Sequence, residues 1–141
     1  MRRSFCSLLL ALAALTACGG GDGGNDPQVS LPGTYSLSTI DGQGVPYLLY
    51  QDTEVKVEAK NGTFTITGSG TYTENVTLKF TDANGVEEIP AICSGTYTRS
   101  GNNLTITENE TDECVGGDWT ATWDGRNTIT IDYGVLFVYK R

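Results

Sequence analysis

The stretch Gly33-Thr34-Tyr35-Ser36-Leu37-Ser38-Thr39 decides how the chain is built. Tyr35, Leu37 and Thr39 fall on one side of an extended backbone, and Thr34, Ser36 and Ser38 on the other. That period of two marks a strand with one face in a core and one in water. Working outward, the same period recurs in Val55, Val57 and Ala59, in Phe64 and Ile66, and in Val76, Leu78 and Phe80. It returns in Ile89, Ala91, Cys93 and Tyr97, in Leu104 and Ile106, in Trp119, Ala121 and Trp123, and in Ile129, Ile131 and Tyr133. Threonine fills many intervening places, where a β-branched side chain with a hydroxyl suits the wet face of a strand. No segment beyond the first thirty residues carries the i, i+3, i+4, i+7 stripe of a helix.

Asn61-Gly62, Asn84-Gly85 and Asp124-Gly125 read as hairpin turns, as do Gly68-Ser69-Gly70 and Ser100-Gly101-Asn102. The spacing predicts strands near 33–40, 53–60, 62–68, 71–81, 86–98, 103–108, 118–124, 127–133 and 135–140. Pro90 cannot donate to a ladder, so it marks a bulge or an edge position. The phrases Gly33-Thr34-Tyr35, Gly62-Thr63-Phe64, Gly70-Thr71-Tyr72 and Gly95-Thr96-Tyr97 recur at unequal intervals, which is hairpin punctuation and not a solenoid period. Eight or nine short strands must bury one apolar face and leave no raw edge. The expected fold is all-β, a closed antiparallel up-and-down barrel, with a two-sheet β-sandwich as the alternative. Val45-Pro46-Tyr47-Leu48-Leu49-Tyr50 stands outside the alternation and reads as a lid over the open end or a segment crossing the barrel bottom.

The first residues read differently. Met1-Arg2-Arg3 is a basic head, followed by an apolar block from Leu8 to Leu15, the layout of a secretory signal. Gly19 to Pro27 is a glycine-rich tether with a reach of about 15–20 Å; it lacks the Gly-Lys-Ser/Thr ending of a phosphate-binding loop. The chain divides into a signal at 1–17, a tether at 18–30 and a barrel at 31–141.

Leu15-Thr16-Ala17-Cys18 resembles the lipobox of bacterial lipoproteins. The resemblance implies cleavage before Cys18, a diacylglycerol on its thiol and an acyl group on its amine. Gly19 in place of Asp implies export to the outer membrane. Several acyl chains together give firm anchoring where a single chain gives only marginal binding. The phrases Gly33-Thr34-Tyr35-Ser36-Leu37, Asp41-Gly42-Gln43-Gly44-Val45-Pro46 and Phe137-Val138-Tyr139-Lys140-Arg141 resemble small lipocalin-like bacterial lipoproteins of unassigned function. Lipocalins open with Gly-x-Trp and close with an Arg that covers the Trp; here Tyr35 holds the aromatic place. A contact from Arg141 or Lys140 to Tyr35, closing the barrel, is the expectation that follows.

Nine basic residues stand against seventeen acidic ones in 141, a net charge of −8, and losing Arg2 and Arg3 with the signal deepens the bias. Such a surface repels a phosphate backbone, and it carries no cationic patch for anionic head groups, so the membrane contact expected is the lipid at Cys18 alone. There is no histidine, which removes the commonest general base and zinc ligand. No Gly-x-Ser-x-Gly elbow occurs, and acidic residues are expected mostly in turns or on outward positions with no pair singled out, so catalysis is not expected and no cofactor is implied. Glu108, Glu110, Asp112 and Glu113 crowd one loop but lack the spaced pattern of a calcium site, so no metal is expected. With Cys6 in the signal and Cys18 lipidated, Cys93 and Cys114 remain to form a structural disulfide in an oxidising envelope. It would pin the loop between Glu108 and Gly117. Trp119 and Trp123, on one strand face, are candidate ligand-lining residues together with Tyr97. The expected function is a non-enzymatic envelope lipoprotein binding a small apolar ligand, or alternatively a filled barrel acting on an envelope protein. An interior void beside the tryptophans would favour the first.

Overall fold

Strands form where the period of two holds, and turn residues set most of their boundaries. The computed structural model describes residues 30–141. The leader, the lipobox with Cys18 and the tether up to residue 29 lie outside the described residues. The strands are β1 (Gly33–Ile40), β2 (Gln43–Gly44), β3 (Tyr47–Gln51), β4 (Lys56–Ile66), β5 (Thr71–Asp82), β6 (Gly85–Ser100), β7 (Asn103–Glu108), β8 (Gly117–Trp123), β9 (Thr128–Asp132) and β10 (Leu136–Lys140). No helix occurs among the described residues.

The strands β1, β10, β9, β8, β7, β6, β5 and β4 pair antiparallel in that order, and β1 pairs back onto β4 through Gly33–Ser36 and Thr63–Ile66. The result is a closed eight-stranded up-and-down barrel, with β2 and β3 outside the ring. One continuous ring replaces the two facing sheets of a sandwich. Pairing in register aligns the inward side chains across neighbouring strands: Tyr35 with Phe64, Ile66 with Tyr72, Leu104 with Ala121, and Ile129 with Tyr139. Tyr35, Phe64, Ile106, Ile129, Ile131 and Tyr139 are fully buried in the resulting core.

Three expectations are corrected. Asn61-Gly62 is not a turn: 53–60 and 62–68 merge into the single strand β4, whose register shifts between Ala59 and Asn61. The inward positions change from odd (Val57, Ala59) to even (Phe64, Ile66), and one surplus residue in a bulge produces that change as readily as a turn does. Thr39 does not share the Tyr35 face, because a second register shift between Leu37 and Thr39 turns Ile40 inward, where it is fully buried. The segment from Val45 to Tyr50 is neither lid nor bottom crossing. Tyr47–Gln51 is strand β3, paired along the first half of β4.

The strands differ in length, and this shapes the two ends. β7 pairs only with Gly95–Ser100 of the sixteen-residue β6, so Gly85–Ser94 has β5 on one side only. Pro90 lies in this half, at the expected edge position and with unbroken pairing to β5. The chain after β7 returns to cover the lower part of that edge. Asn109 N–H donates to Ser94 O at 2.9 Å, Ile92 N–H donates to Glu113 Oε2 at 3.3 Å, and Cys93 is disulfide-bonded to Cys114. Covering an edge in this way blocks strand addition by another chain.

At the opposite end the barrel is shut. Arg141 lies over the Tyr35 ring, its Cζ 4.6 Å from the centroid, and donates to Tyr35 Oη at 2.9 Å, to Pro32 O at 3.0 Å and to Ser30 O. Tyr35 Oη in turn donates to Leu31 O at 2.7 Å. Of the two closing residues expected, Arg141 makes the contact. Gly33, with φ of 150°, lies flat beneath the guanidinium, where any Cβ would collide with it at 2.5 Å.

Candidate ligand-binding site

The open end holds a cavity of about 400 Å³. Val76 and Leu78 of β5, Ala91 and Cys93 of β6, Leu49 of β3 and the Tyr133–Phe137 segment wall it with apolar surface, and the disulfide forms part of the rim. The aromatic rings below it are packed: Phe64 stacks on Tyr72 at 5.1 Å between centroids and lies 5.5 Å from Tyr139. The barrel is therefore filled towards the Arg141 end and hollow towards β3. A larger recess of about 630 Å³ lies outside the ring at Asp52–Lys56 and Thr81–Asn84. Its Asp52 and Asp82 carboxylates already accept the N–H groups of their own turns, which leaves the interior cavity as the better site.

The cavity floor is polar. Glu74 faces inward and is 6% exposed. Its Oε2 accepts from the Tyr133 hydroxyl at 2.8 Å and its Oε1 from the Tyr139 hydroxyl, both reaching from the far wall. Burial pushes the Glu74 carboxyl above the usual glutamate range, while the two tyrosine hydrogen bonds pull it partly back. Burial, reinforced by the nearby Glu74, holds Tyr133 and Tyr139 protonated as donors.

Glu108 is the second inward acid, 8% exposed, with Oε2 accepting from Gly116 N–H at 3.0 Å. It pairs across to Gly95, which pairs onward to Tyr72. Gly95 cannot be replaced cheaply: a Cβ there would sit 2.0 Å from Thr107 O and 3.0 Å from the Tyr72 ring. The missing side chain lets Tyr72 lean over this position, and its hydroxyl feels both Glu108 and Glu74. That hydroxyl is buried and has no hydrogen-bond partner, and neither has the indole N–H of Trp119 on the cavity wall. Unpaired buried donors are costly unless something fills the space beside them.

The candidate residues are divided by the structure. Trp119 lines the cavity, in edge contact with Tyr133 at 5.2 Å. Trp123 lies at the shut end beneath Arg99, whose Cζ is 4.6 Å from the ring. Tyr97 is at the shut end too, its hydroxyl donating to Thr67 O at 2.8 Å. Cys93 and Cys114 are joined, with Cα atoms 5.7 Å apart, and Cys18 is outside the described residues.

The expectation that acidic residues point outward fails at Glu74 and Glu108. The signal was in the alternation. Glu74 has the parity of Tyr72, Val76 and Leu78, and Glu108 that of Leu104 and Ile106. Among the described residues no three His, Cys, Asp or Glu side chains group so as to hold a metal ion. No protein-family model matches the chain, and no match is found among curated proteins.

Proposed function

We propose that the protein is a lipid-anchored binding protein of the bacterial cell envelope, whose lipocalin-like barrel takes a small, mostly apolar ligand. The observation that carries this reading is the cavity of about 400 Å³ at the open end, apolar-walled, with the buried carboxyls of Glu74 and Glu108 on its floor and the unpartnered indole N–H of Trp119 on its wall. That volume is in the range of small-molecule sites, which combine greasy walls with a few fixed polar groups. Each oxygen of Glu74 is taken by a tyrosine donor, an arrangement suited to a fixed polar anchor and not to a proton shuttle. The anchor rests on the lipobox resemblance at Leu15–Cys18, and the glycine tether would hold the barrel clear of the outer membrane.

Native mass spectrometry of the protein from its own host tests the cavity, with Trp fluorescence following each compound released. A retained ligand that quenches the wild type and Trp123→Phe, but not Trp119→Phe, is expected. An empty protein that no lipid panel quenches counts against it. Cys18→Ala should move the protein from the membrane fraction to the soluble one.

A second reading, docking of an envelope protein, draws on the exposed Ile92 and Val115, each next in sequence to a cysteine of the disulfide at the rim. Cross-linking at these positions in cells, with an empty cavity, is the outcome that would favour it.

A further inference from the structure

Two acidic side chains face one interior with nothing basic opposite them. The described cations are engaged or exposed elsewhere. Lys56 and Lys79 pair with Glu58, Lys60 pairs with Glu88, and Arg99 and Arg141 cover aromatic rings at the shut end. Arg126 and Lys140 are exposed, and among the described residues no basic side chain lines the cavity. Carboxyl groups taken out of water are expensive unless paired. Beside them sits the Tyr72 hydroxyl, fully buried and unpartnered, an observation independent of the acids.

We propose that the ligand carries one positively charged amino group, seated on the floor between Glu74, Glu108 and the Tyr72 hydroxyl, with its apolar body against Val76, Leu78 and Phe137. This rests on the ligand-binding reading and specifies its substrate class. The chemistry matches in number. A primary ammonium has three N–H donors; the floor offers the Glu74 and Glu108 carboxyls, and the buried Tyr72 hydroxyl beside them is a third oxygen with free lone pairs. Glu74 keeps a second lone pair on each oxygen, Glu108 has Oε1 unused in any protein hydrogen bond, and the Tyr72 oxygen has no partner at all. Glu74 and Glu108 both line the cavity, and the stretch of floor between them is where such a head fits. A fatty acid of the same length would bring a third carboxylate to the same floor, where like charges repel strongly in a low dielectric.

Isothermal titration of the full chain with octylammonium, octan-1-ol and octanoate at neutral pH tests the assignment, since the three share one tail. Octylammonium should bind at least about tenfold more tightly than octanol, with octanoate weakest. Glu108→Gln should remove most of that advantage and leave octanol unchanged; Glu74→Gln serves as the second variant if the first fails to fold. Octanol binding as tightly as octylammonium, or octanoate tightest, overturns the cationic assignment while the cavity reading stands. No binding of any of the three overturns both.

Discussion

The Tyr133 hydroxyl donates to Glu74 Oε2 over 2.8 Å, joining the chain just after β9 to the first third of β5 across the interior. With the Tyr139 contact it ties opposite walls at the level where packed rings give way to empty space. Tyr133→Phe keeps the ring and its edge contacts with Trp119 and Phe137 but deletes one donor. A stability loss of about 1–3 kcal/mol is expected from a urea midpoint, because a buried acceptor is left short. In the Glu74→Gln background the same change should cost less, since the two groups act as a pair.

Acidity should stabilise the barrel through Glu74. Burial raises the native carboxyl, so the folded chain holds this proton to higher pH than the unfolded chain does. Stability from this residue is complete below the ordinary glutamate value of about 4.3 and is lost as pH rises to the raised native value, by up to about 1.4 kcal/mol per unit. Wild type minus Glu74→Gln, followed by denaturant unfolding, should slope downward across that window and flatten above it. Tyr72, Tyr133 and Tyr139 face the same group, but all are raised and stay protonated there. Glu108 also faces it, so the comparison is repeated with Glu108→Gln. A difference that rises with pH would contradict the account.

Closure at the shut end should depend on the guanidinium and not merely on charge. Arg141→Ala removes the stacking on Tyr35 and the hydrogen bonds to Pro32 and Tyr35, a loss of about 1–3 kcal/mol. Arg141→Lys should recover little of it, because an ammonium cannot stack flat and fork its donors. Tyr35→Ala should cost more, about 3–5 kcal/mol, by opening a void in the core. The melting temperature reports all three, and an unchanged value for Tyr35→Ala would remove the closing role.

Cutting the Cys93–Cys114 link should free the loop that covers β6. Cys93→Ser is expected to cost about 3 kcal/mol in the chain-entropy model. Hydrogen exchange should quicken at Ile92 and Asn109, whose N–H groups bond between the loop and the strand. In reductant the variant and the wild type should converge; a difference persisting there would assign the effect to packing.

The ring itself was legible because one strand face is buried and the other wet, which leaves alternation in nearly every segment. Trp119, Ala121 and Trp123 lie on one face as read, yet the cavity takes Trp119 alone. Parity gives a face, whereas height along the barrel depends on stagger between strands, a non-local property. The bulges escaped for a related reason: a switch from Ala59 to Phe64 looks the same whether the chain turns or inserts one residue. β3 escaped because it is outside the ring and its Leu48 and Tyr50 are exposed, so no clean two-residue rhythm is imposed on it. Glu74 and Glu108 were missed because only apolar residues were followed inward.

One of those bulges divides β4 into two halves with different neighbours. Lys60 is the surplus residue in β4; it switches the inward parity from Ala59 to Gly62 and so keeps both halves of the strand facing the core opposite Leu78 and Val76. What it adds is a bend, placed between the half of β4 that holds β1 and the half that holds β3. Deleting Lys60 would restore an even ladder with every inward side chain retained, and would favour continued zipping of β1 along β4 at the expense of β3. A single inserted amino acid on the outer wall thus bends the barrel directly opposite Val76 and Leu78, the two residues of β5 that wall the cavity.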